Sequence, residues 1–105
     1  MIDQLFSVVA GLDEQRDFIK LAENNGGSYT WGIEFYSPFA HVKMRFTIET
    51  FDKKYDEVIS ISCRELQQAV GLRNFLATVV RDRLRRMMRD IREHENKPCN
   101  VDATR

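Results

Sequence analysis

From Ser28 to Cys63 the chain keeps a period of two through three successive segments, and this feature excludes most ways of folding it. Tyr29, Trp31, Ile33 and Phe35 alternate with Thr30, Gly32, Glu34 and Tyr36. Ala40, Val42, Met44, Phe46 and Ile48 alternate with His41, Lys43, Arg45, Thr47 and Glu49; Ile59, Ile61 and Cys63 alternate with Val58, Ser60 and Ser62. Successive side chains of a strand point to opposite faces, so each segment presents one apolar and one polar face. The connections, Ser37-Pro38 and Asp52-Lys53-Lys54, are short, so consecutive strands run antiparallel. The expected unit is a three-stranded meander whose apolar face needs a covering layer.

The flanking segments supply that layer. Ile2, Leu5, Phe6 and Val9 fall at the i, i+3, i+4, i+7 spacing of a helix. Gly11 interrupts, and on a wheel of 100° per residue Phe18 lies about 160° from Ile2. That phase change favours two short helices, the second with Asp13 as N-cap and Phe18, Leu21 and Ala22 inward. Asn24-Asn25-Gly26-Gly27 ends it. Ser62 and Glu65 have the spacing of a capping box, a break is expected near Gly71, and a helical pattern runs from Leu72 to Glu95 until Asn96-Lys97-Pro98. Helix, helix, three strands and a long helix make a two-layer α+β sandwich. A chain of 105 residues is one domain's worth; residues 1–96 are expected to form it, with 97–105 as a disordered polar tail.

Composition removes several classes of function. At 43% hydrophobic and 30% charged residues the chain has a globular balance. No stretch approaches the ~18 consecutive apolar residues of a membrane span, and Met1-Ile2-Asp3 lacks the basic start of a secretory signal. Two cysteines, Cys63 and Cys99, are too few for a disulfide framework; they read as thiols of a reducing, cytoplasmic compartment.

The last helix carries most of the functional information. Ala77, Val80, Leu84, Met87 and Ile91 are spaced 3, 4, 3, 4, the signature of a helix–helix seam. A helix of 23 residues is about 35 Å long against about 23–30 Å for a strand of seven to nine. It is expected to overhang its sheet, so Val80, Leu84, Met87 and Ile91 are candidates for a homodimer seam, with packing inside the chain as the plainer alternative. Residues 73–97 carry eight basic and four acidic side chains, while residues 1–72 carry seven and eleven, so the neutral total hides a polar molecule. Arg81, Arg85, Arg89 and Arg92 share about 80° of arc beside the apolar stripe. The guanidinium fork suits carboxylate and phosphate alike. These four are therefore candidates for binding an acidic protein or nucleic-acid phosphates, unless the acidic remainder of the chain pairs with them.

Catalytic constellations fail to assemble on paper. His94 follows Asp90 at i+4, a pair too common to specify a metal. Alternation separates Cys63 from His41, against a nucleophile–base pair. Gly26-Gly27 lacks the lysine and spacing of a phosphate loop. Glu34 and Glu49 share the polar face and are candidates for paired carboxylates, with ordinary surface charge as the alternative. Beside them His41, Lys43, Arg45, Tyr36 and Phe39 could stack on bases, or simply meet solvent. The helix–three strands–helix order is similar in topology to double-stranded-RNA-binding domains. Where those open their last helix with a lysine cluster, this chain reads Ser62-Cys63-Arg64-Glu65-Leu66-Gln67, and membership does not follow. The expectation is a small non-enzymatic interaction protein of accessory or inhibitor type, without cofactor or metal. It would bind a partner protein and self-associate through the last helix; the alternative is a nucleic-acid-binding module.

Overall fold

The computed structural model describes residues 2–36 and 41–96. The elements are α1 (Ile2–Ala10), α2 (Asp13–Asn24), β1 (Ser28–Tyr36), β2 (His41–Glu49), β3 (Lys54–Ser62), α3 (Cys63–Gln68) and α4 (Leu72–Asn96). The strands form one antiparallel sheet in the order β1-β2-β3, and the helices lie on its inner face in a two-layer α+β arrangement. The expected turn at Ser37-Pro38, together with Phe39 and Ala40, lies outside the described residues, as does the tail from Lys97 on.

Register follows the alternation. Across the inner face, Phe35, Val42 and Ile61 form one row, Ile33, Met44 and Ile59 the next, then Trp31, Phe46 and Glu57, and finally Tyr29, Ile48 and Tyr55. All four β2 members of these rows are fully buried. α2 lays Phe18 over the Tyr29 and Phe46 rings, with centroids 5.0 Å and 5.2 Å away. Burying a ring of this size contributes about 2–3 kcal/mol. Gln15 ties three elements together, accepting a hydrogen bond from the Tyr29 hydroxyl and donating one to the Val9 carbonyl at 3.1 Å. Burial pushes the Tyr29 phenol well above its usual range, so it stays a donor.

Four expectations are corrected. The residue ahead of α2 is Leu12, not Asp13; it makes no side-chain cap and is buried, so a core contact outweighs an N-cap there. β3 begins at Lys54, four residues before the apolar alternation starts. Its inner face takes Tyr55 and also Glu57, a charge that hides the strand from a hydropathy reading. Cys63 opens α3 instead of closing β3, because the Ser62–Glu65 capping box starts the helix there. Finally, α4 does not run free of the body. Arg73 Nη2 donates to the Gly11 carbonyl near one end (3.3 Å), and His94 Nε2 meets Asp52 at the β2–β3 hairpin near the other (3.1 Å).

Three glycines are dictated by backbone. Gly26 has φ +68° in the turn that ends α2, and a Cβ on Gly27 would lie 2.4 Å from the Glu49 carbonyl oxygen. Gly71, at φ +84°, makes the break between α3 and α4.

Candidate functional site

Position on the α4 wheel decides what each of its side chains does. Leu76, Val80, Leu84, Met87 and Ile91 form the inward stripe, all buried within the single chain. The seam expected between copies is thus corrected: the 3–4 spacing of Val80, Leu84, Met87 and Ile91 reports packing on the chain's own sheet. A stripe this narrow suffices because α2 and β3 flank the helix on its two sides.

The arginines beside that stripe divide into two groups. Arg81 donates from Nε (3.0 Å) and Nη2 (2.9 Å) to one oxygen of Glu14, a carboxylate buried at the start of α2. On the opposite flank Arg83 Nη1 and Arg86 Nε approach Glu57 Oε1 at 3.5 Å and 4.0 Å. The Arg83 Nε is buried and lacks a partner among the described residues. These two acids, neither of them singled out from the sequence, consume the positive charge nearest the core. The one signal for Glu57 was its place in an otherwise apolar alternation.

Arg85, Arg89 and Arg92 are different. All three are exposed, and among the described residues none makes a hydrogen bond or an ion pair. They follow at i, i+4 and i+7, so their heads span about 10 Å of helix. Met88 lies beside them, on the side toward the buried stripe, and is 40% exposed. Of the four stripe arginines expected from the sequence, the structure keeps three together and spends Arg81 internally. No family model, no curated protein and no solved structure matches this chain.

The remaining candidates scatter. Glu34 stands opposite Lys43 and Glu49 opposite Lys54, so the two carboxylates face lysines on adjacent strands and not each other. His41 pairs with Ser62, and Cys63, half buried against the core, holds a free thiol in the next element. His94 turns to Asp52 instead of Asp90. Hydrogen bonds from His94 and then Thr50 hold the Asp52 carboxyl below its ordinary value. This cluster borders a groove of about 310 Å³ that also includes Lys54, Tyr55 and Asp90. Lys53 Nζ lies 5.1 Å from the centre of the Tyr55 ring. Among the described residues, no three of His, Cys, Asp and Glu are grouped to hold a metal ion. None of their helices is long and apolar enough to cross a membrane.

Proposed function

We propose that the chain is a non-enzymatic protein-binding module of accessory or inhibitor type. Its outward α4 surface takes a partner that sets carboxylates beside an apolar pocket. The observation that carries this reading is part-exposed Met88 on the flank of Arg85, Arg89 and Arg92, between them and the buried stripe, none of the three arginines having an internal partner among the described residues. Arginine and methionine are enriched at protein interfaces, and methionine adapts its shape to what it meets. A guanidinium fork pairs with a carboxylate bidentately.

Nucleic acid is the second reading, and the same arginines favour it. Three phosphate contacts give a salt slope of only about −2.7 in log affinity against log salt. Asp82, Asp90 and Glu93 on the same helix reduce the local field further. A cytoplasmic setting belongs to the protein-binding reading, supported by a free Cys63 thiol and a chain with only two cysteines.

The test replaces Met88 with a photo-crosslinking residue, irradiates in a cell extract and identifies the adduct by mass spectrometry. The proposal expects one protein with an acidic surface, captured by the wild-type background and lost when Arg85, Arg89 and Arg92 become Glu. Capture of nucleic acid instead would establish the second reading. Capture that survives all three reversals would overturn both.

A further inference from the structure

The two edges of the sheet are built differently. The β3 edge carries Lys54 and Asp56 and turns the charge of Glu57 inward, devices that discourage another strand from pairing there. β1 reads Ser-Tyr-Thr-Trp-Gly-Ile-Glu-Phe-Tyr, nine residues with no proline, no basic residue and one charge, Glu34. Its backbone alternation can be worked out from the far hairpin. The Thr50 N–H donates to the Lys53 carbonyl at 2.8 Å, so Thr50 and the even-numbered β2 residues direct their backbone groups to β3. Odd-numbered β2 residues therefore face β1, in keeping with the Glu49 carbonyl lying against Gly27. In β1 their partners are Ser28, Thr30, Gly32, Glu34 and Tyr36. Tyr29, Trp31, Ile33 and Phe35 are left to direct their N–H and C=O groups away from β2, where no strand among the described residues pairs with them.

Apolar surface borders the same edge. Phe35 is 48% exposed, and Phe6, stacked on Trp31 with centroids 4.8 Å apart, is 50% exposed. Ile19 is 46% exposed, one turn after Gln15 on the flank of α2 that meets Tyr29.

We propose that β1 pairs with β1 of a second copy of this chain, antiparallel about a two-fold axis at Gly32, to make a continuous six-stranded sheet. The strand is self-complementary in that register. Tyr29 stands opposite Phe35 of the other copy and Trp31 opposite Ile33, apolar on apolar on the inner face. All of these residues have outward backbone groups, which supplies about eight hydrogen bonds. On the outer face Thr30 stands opposite Glu34. The two Glu34 carboxylates are four strand positions apart, about 13 Å, and Gly32 leaves the axis free of side chains. Zero net charge adds no general repulsion between copies. Because the β3 edge is guarded, the assembly closes as a dimer and does not extend into a fibre.

Sedimentation velocity over a concentration series tests it. Wild type should sediment at twice the 12.3 kDa chain mass. Ile33→Pro removes one outward N–H and no bond of the β1–β2 ladder, and Phe35→Lys sets a charge at a half-exposed position; each should sediment at 12.3 kDa. Should Ile33→Pro fail to fold, Phe35→Lys carries the test, together with amide exchange of wild-type Trp31 and Ile33, which should slow as concentration rises. A wild-type protein monomeric at several hundred micromolar would overturn the proposal. So would a dimer that persists in the folded Phe35→Lys variant, or a β1 edge occupied only by a different protein.

Discussion

Arg81 and Arg85 are one helical turn apart on α4, yet the fold uses them in different ways. Arg81 closes on Glu14, whose side chain is only 8% exposed and whose charge would otherwise be stranded. Arg85, with Arg89 and Arg92, touches no acid among the described residues. The difference teaches that clustering on a helix wheel does not assign a role. What matters is whether the opposite element brings an acid to the same height. α2 does so at Glu14 and β3 at Glu57; the later arginines on the α2 side have no such neighbour.

Several substitutions probe this division, beginning with the inward stripe itself. Leu84→Asp places a charge where only 5% of the residue is exposed, and should cost at least about 4 kcal/mol in urea unfolding, enough to abolish a cooperative transition. If Leu84 faced another copy, the same variant would instead remain a folded monomer. Glu57→Ala leaves Arg83 facing the core with its Nε already unpartnered, and is expected to cost about 2 kcal/mol. Arg81→Ala strands Glu14. Because Arg81 is half exposed and water can enter, the loss should be nearer about 1 kcal/mol. Arg85→Glu, Arg89→Glu and Arg92→Glu together should change stability by no more than about 0.5 kcal/mol, since nothing inside the chain answers to them.

The smallest effect belongs to the hairpin end of α4. The Asp52 carboxyl is held below its ordinary value of 3.8, first by His94 and then by Thr50. A carboxyl depressed in the folded state stabilises it above the unfolded value, and that contribution is lost as pH falls through the folded value. Acid unfolding of His94→Ala should therefore begin at slightly higher pH than that of wild type, with the curves converging at the acid extreme. Identical curves would remove the contact as a stabilising one.

Much of the architecture was legible because each alternating segment has only one way to bury its apolar side. β1 and β2 therefore follow the sequence pattern, and the phase change at Gly11 correctly separates α1 from α2. The failures share a cause, namely tertiary partners that local patterning does not encode. Glu57 reads as the end of a hairpin until an arginine from α4 makes its burial tolerable. Leu12 displaces Asp13 from the capping position because the core claims it. The 3–4 spacing of Val80, Leu84, Met87 and Ile91 is common to a seam between copies and to a helix laid on a sheet. Helix length alone pointed to the first; the hairpin, reaching out to His94, accounts for the second. On α4 the stripe was visible, but the exclusion of Arg81 from it was not, since Glu14 lies 67 positions away in sequence.

In the proposed function Arg85, Arg89 and Arg92 serve another molecule and not the fold. Crosslink yield from position 88, measured for the wild-type background and for the triple Glu variant after both are shown to be folded, tests it most directly. A single acidic protein adduct is expected in the first and none in the second. An equal yield from both would contradict it.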